Sequence, residues 1–150
     1  MGVLYAAAAI SLLAALIHLW VTPEHFEEWW SYGAFFLVAA LAQALYAPLV
    51  VVWPTRLVLL VGIGGNLAIV ALYLLTRTVG IPLFGPETGE VEGVGLVDLC
   101  ATASEVGIAA ALGAALLRET TTERRRMILF ITAVGLVSVG HVVHLGLRAS

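Results

Sequence analysis

Five ionisable side chains in this sequence are of the types that bind transition metals, and all five lie in otherwise apolar segments: His18, Asp98, Glu105, His141 and His144. Imidazole nitrogens suit zinc, copper and iron, and mixed sets of imidazoles and carboxylates suit zinc and non-haem iron. His141 and His144 are three residues apart, so one helical turn presents both to a single ion. We therefore predict one transition-metal site, for copper, zinc or iron, built from these residues.

A second set of polar residues is predicted to surround or lead to this site. Glu24, His25 and Glu28 follow the first apolar segment, and an acidic mouth of this kind concentrates cations. Three polar side chains inside other apolar segments are expected to line the same interior. They are Gln43, Asn66 and Ser138.

The composition indicates that these residues are held by helices in a membrane. Of the 150 residues, 61% are hydrophobic and only 11% are charged, and the mean hydropathy is +1.04. Soluble domains are about half apolar and a quarter charged. The surplus of apolar surface is therefore expected to face lipid, and the bilayer is the first predicted partner.

Five apolar segments have the length of a membrane span, which for a helix is about 20 residues. We predict an all-α, single-domain integral membrane protein, a five-helix transmembrane bundle occupying residues 1–150. Thr22, Pro23 and Glu24 resemble a helix start, with a hydroxyl cap, a first-turn proline and an acid near the positive helix end. They predict a short interfacial helix over residues 23–30. The predicted spans are residues 2–21, 33–53, 57–75, 94–117 and 127–147.

The arginines predict the orientation, because basic residues are enriched in cytoplasmic loops. Arg56 lies between the second and third spans, and Arg118 and residues 124–126 lie between the fourth and fifth. Arg77 and Arg148 are exceptions on the opposite side. We predict a multi-pass protein of the cytoplasmic membrane, with its N-terminus in the cytoplasm and its C-terminus outside.

This orientation places the five candidate ligands at a similar depth. His18 lies four residues before the predicted end of its span, about 6 Å below the outer boundary. Glu105 lies seven residues after Asp98, about 10 Å deeper on the same face. His141 lies 15 residues after Arg126, about 22 Å above the inner boundary. The predicted site is therefore in the outer half of the bundle.

Other functions remain open for the same residues. His18 with His141 or His144 suits a b-type haem with two axial imidazoles, serving electron transfer. A Glu–His relay suits an ion- or proton-conducting or transport subunit. A purely structural alternative is that these polar groups hold the helices together. Whether a metal site here is catalytic is not encoded in the residues.

The sequence also favours certain binding partners over others. A site that opens sideways favours a lipid or a quinone as its ligand, and nothing in the sequence supports nucleic-acid binding. Small residues recur every fourth position in the fourth span, which allows close approach of another helix or of a second copy in a homo-oligomer. They are Ala103, Gly107, Ala111 and Ala115.

Overall fold

The computed structural model of the protein describes residues 2–80, 89–119 and 121. These residues form four α-helices, all of them long and apolar enough to cross a membrane, which indicates a membrane protein. The helices are α1 (Gly2–Glu28), α2 (Trp30–Val52), α3 (Arg56–Thr78) and α4 (Leu96–Glu119). Helices satisfy their own backbone groups, as hydrocarbon requires.

Four of the five predicted spans correspond to these helices, although α1 extends well past its predicted end. The fifth predicted span, residues 127–147, lies outside the described residues. The chain divides into two compact units, Met1–Ala115 and Leu116–Ser150. The first unit contains α1, α2, α3 and most of α4. Of the second unit, the structure describes the end of α4 and Thr121.

The predicted interfacial helix is not found as a separate element, because α1 continues through Pro23 to Glu28. A proline inside a helix removes one backbone hydrogen bond. Two side chains form hydrogen bonds with backbone carbonyls close to this gap. The Thr22 hydroxyl donates to the His18 carbonyl at 2.7 Å, and His25 Nδ1 lies 2.9 Å from the Val21 carbonyl oxygen. Side chains of this kind keep proline-containing helices intact in membranes.

Small residues form the buried faces of α1 and α2. On α1 these faces include Ala7 and Ala14, and on α2 they include Ala40 and Ala47. The helices are antiparallel in a constant register, since Ser11 contacts Gln43 and His18, seven residues later, contacts Phe36, seven residues earlier. Alanine side chains permit helix backbones to approach closely. The close packing sets His18 firmly against α2.

The other helices pack through similar small positions. Gly62 on α3 leaves room for the Tyr46 ring, whose hydroxyl donates to the Val58 carbonyl at 3.0 Å. On α4, a Cβ at Gly107 would lie 3.7 Å from Ile10 of α1. At Gly107, the small-residue face of α4 therefore packs against α1 of the same chain.

Candidate functional site

The site begins on the buried face of α1, where Ser11, His18 and Thr22 all lie. Ser11 and His18 are seven residues apart, which is close to two helical turns, so they share one face. The His18 side chain is only 2% exposed. Ser11, His18 and Thr22 therefore form a polar face of α1 that points into the helix bundle.

His18 forms a hydrogen bond with Glu105 of α4. The distance from His18 Nε2 to Glu105 Oε1 is 2.9 Å, and Glu105 is 1% exposed. An ionised carboxylate only accepts hydrogen bonds, so Nε2 is the protonated nitrogen when Glu105 is ionised. In the neutral ring Nδ1 then carries a lone pair. That atom is buried and has no hydrogen-bond partner among the residues the structure describes.

The two residues lie at matching distances from the same end of the bundle. His18 is ten residues before the end of α1, and Glu105 is nine residues after the start of α4. At 1.5 Å per residue, both lie about 14–15 Å from these helix ends. We call this end, where α1 and α3 end and α4 begins, the site-side end.

His25 and the acidic residues near it are separate from the buried pair. The His25 ring packs on Phe36, with 3.9 Å between ring centroids. Glu24 and Glu28 are exposed on the last turns of α1. They lie beyond His18 toward the site-side end, as an entry would, but the contacts of His25 are with Phe36 and its own helix.

A second layer of polar side chains lies about 10 Å from His18 along α1, in the direction of the N-terminus. The Ser11 hydroxyl donates to the Gln43 carbonyl at 2.9 Å, and Gln43 Nε2 lies 3.5 Å from Asn66 Oδ1. Asn66 Nδ2 donates to the Gly62 carbonyl at 2.7 Å. Gln43 and Asn66 are buried as predicted, but their contacts are with Ser11, Gly62 and each other rather than with His18.

Asp98 has a partner that the sequence analysis missed. Arg77 Nη2 donates to Asp98 Oδ2 at 2.8 Å, and Arg77 Nη1 also pairs with Glu92. Asp98 additionally accepts from the backbone N–H of Gly95, at the start of α4. The sequence contains the necessary signal, because Arg77 and Asp98 have opposite charges at facing ends of consecutive spans.

The structure thus brings together His18 and Glu105 of the five predicted ligands, and places Asp98 in a different contact. Among the described residues, no group of three or more His, Cys, Asp or Glu side chains is arranged to hold a metal ion. His141 and His144, with the neighbouring Ser138, lie outside the described residues. Their roles remain predictions from the sequence.

Comparisons with known proteins assign neither a family nor a function to the chain. The chain matches no protein-family model, no curated protein and no solved structure. The functional argument therefore depends on the geometry of the site.

Proposed function

We propose that this protein is a multi-pass membrane protein that binds a transition-metal ion, copper, zinc or iron, through Nδ1 of His18. The main observation in support is the buried His18–Glu105 hydrogen bond, which leaves Nδ1 of His18 without a partner among the described residues. Histidines that bind metals almost always donate their other ring N–H to a carboxylate, a carbonyl or a water. In this proposal Glu105 orients the ligand and raises its basicity, rather than binding the ion directly.

A bound metal ion would also offset the free-energy cost of burying the Glu105 carboxylate. A carboxylate at 1% exposure lies in surroundings that disfavour its charge,. A cation bound at His18 lowers that cost. His141 and His144 are the further ligands in this proposal, on the strength of their spacing in the sequence.

Metal analysis of the protein purified in detergent tests the proposal. We expect about one equivalent of copper, zinc or iron in the natural protein, and loss of that metal in His18→Ala. The matched control is His25→Ala, seven residues along the same helix, which should retain the metal. Natural protein that binds no metal, even when each ion is supplied, would exclude the proposal.

Glu105→Gln separates an orienting role from direct ligation. Glutamine keeps an oxygen that accepts from His18 Nε2, so an orienting residue tolerates this change with a drop in metal affinity of about 10- to 100-fold at most. A direct carboxylate ligand would lose far more. Glu105→Leu, which removes the acceptor, should weaken binding more than Glu105→Gln in either case, and His18→Ala should abolish it.

A proton relay is the second candidate, because an imidazole and a carboxylate 2.9 Å apart can share a proton,. Continuous conduction is less well supported by the packing. The polar layer of Ser11 and Gln43 lies about 10 Å from His18, and fully buried Ala14 and Ile108 are positioned between the two levels. Proton flux in proteoliposomes distinguishes the candidates, since a relay predicts flux that Glu105→Gln abolishes.

The haem alternative receives less support from this geometry. Nε2 of His18 is engaged by Glu105, and a large porphyrin would have to be accommodated beside closely packed alanine faces. The absorption spectrum of the purified protein provides the test. A strong Soret band lost in His18→Ala would favour haem over a single metal ion.

A further inference from the structure

Arg77 is held on several sides near the site-side end of the bundle. Its guanidinium pairs with Asp98 and Glu92 and lies 5.0 Å from the centroid of the Tyr73 ring. The Arg77 side chain is 12% exposed, whereas Asp98 and Glu92 are 33% and 38% exposed. The arginine therefore lies inward of its two acidic partners, and it ties the end of α3 to the start of α4.

The position of Asp98 relates this ion pair to the buried site. Asp98 and Glu105 are seven residues apart on one continuous helix, so they share a face and are separated by about 10 Å along the axis. The Arg77–Asp98 pair is therefore on the Glu105 face of α4, between Glu105 and the helix end. A solute that follows this face from the site-side end meets the ion pair first.

The buried pair is closed on its other side by apolar packing. Ile108 is one turn beyond Glu105 on α4, and Leu112 is one turn further; both are fully buried. His18 and Glu105 are themselves at most 2% exposed. Along α4, the buried pair therefore lies between the polar contact of Arg77 with Asp98 and the apolar packing at Ile108.

We propose that the Arg77–Asp98 ion pair is a gate that sets the rate at which solutes, metal cations above all, reach His18 and Glu105. Ion pairs with partly exposed partners contribute only about 0–1 kcal/mol, so the free-energy cost of separating Arg77 from Asp98 is small enough for a gate. This inference deepens the proposed function, on which its metal part depends.

The first experiment measures access to His18 without any metal. Diethyl pyrocarbonate modifies the free nitrogen of imidazoles, and mass spectrometry resolves His18 from His25. We expect Arg77→Gln and Asp98→Asn to raise the rate at which diethyl pyrocarbonate modifies His18 by up to about fivefold. This factor corresponds to the loss of an ion pair whose partners are partly exposed. Asparagine retains an oxygen to accept from the Gly95 N–H, so Asp98→Asn preserves the start of α4.

Two internal controls accompany this measurement. Arg56→Gln removes an arginine at the opposite end of α3 and should leave the His18 rate unchanged. The rate at His25 should be the same in all variants. An equal rise at both histidines, or no change at His18 in either gate variant, would overturn the gate.

The second experiment separates the gate from the proposed function. Stopped-flow mixing with copper or zinc ions gives the uptake rate, and equilibrium titration gives the affinity. A gate predicts faster uptake in Arg77→Gln with a similar change in the release rate, so that affinity is nearly constant. If His18 becomes more reactive but neither of these ions nor iron binds the natural protein, the metal function fails and the gate stands. If the ion binds at His18 with unchanged uptake in both variants, the gate is overturned.

Discussion

The hydrogen bond between His18 and Glu105 joins two groups that are each costly to bury in an apolar environment. Neither side chain is more than 2% exposed, and polar groups buried without partners cost about 1–3 kcal/mol each, or more when charged. Together they satisfy one donor and one acceptor. Removing either side chain therefore leaves the other without its hydrogen-bond partner, and it also leaves a cavity.

The two residues should consequently be coupled in stability. We expect His18→Ala and Glu105→Ala each to lower the free energy of unfolding by about 2–4 kcal/mol. The double variant should lose less than the two single losses added together, with a coupling of about 1–3 kcal/mol. Reversible unfolding in mixed lipid–detergent micelles, with increasing sodium dodecyl sulphate, measures these energies.

The same cycle with His25→Ala and Glu28→Ala serves as a control. Glu28 is exposed, and in the described part of the chain the His25 side chain contacts Phe36 and the Val21 carbonyl. This pair should be additive within about 0.5 kcal/mol. Additive losses for His18 and Glu105 would mean that their contact contributes nothing beyond the volume of each side chain.

Sequence reasoning at this scale identifies buried residues better than it identifies their partners. Of the described residues predicted to face the interior, His18, Gln43, Asn66 and Glu105 are buried, whereas Asp98 is 33% exposed. Their spacing along each helix carries that information, because residues seven apart share a face. Partners on another helix depend on how the helices are rotated and shifted, which spacing within one helix does not specify.

At the scale of elements, the end of α1 shows how one local pattern suits two structures. Thr22, Pro23 and Glu24 fit the first turn of a new helix, yet α1 passes through them. The Thr22 hydroxyl can accept from a following N–H as a cap, or donate to a preceding carbonyl as it does here,. Trp29 is the single residue between α1 and α2, with an extended backbone, so the real boundary is six residues past the proline.

Substitution of Pro23 distinguishes these two arrangements. Inside a continuous helix proline is unfavourable, so Pro23→Ala should raise the free energy of unfolding by about 1–3 kcal/mol by restoring a hydrogen bond to the Leu19 carbonyl. In the first turn of a separate helix, proline is favourable and the same change would give no gain. Micelle unfolding measures the difference. Pro54→Ala, in the turn between α2 and α3, is the control and should change stability by less than about 1 kcal/mol.

For the whole molecule, the apolar character of the chain is what makes its architecture predictable. Hydrocarbon requires each span to satisfy its own backbone hydrogen bonds, so an apolar segment of sufficient length becomes a helix. Four predicted spans correspond to helices for this reason. Long-range details escape this argument. The Arg77–Asp98 pair joins residues 21 positions apart through a loop, and its formation depends on where that loop brings α4.

The proposed orientation and the proposed fifth span make one joint prediction about the ends of the chain. Five spans would place the N-terminus and the C-terminus on opposite sides, and Arg56 with the arginines that begin at Arg118 predicts a cytoplasmic N-terminus. In a Cys100→Ala background, Val91→Cys should react with a membrane-impermeant thiol reagent on intact cells. Pro54→Cys should react only after permeabilisation, since both positions are exposed but lie at opposite ends of α3. A cysteine added after Ser150 should react on intact cells like Val91→Cys. If it reacts like Pro54→Cys instead, the chain crosses the membrane an even number of times and the fifth span is wrong.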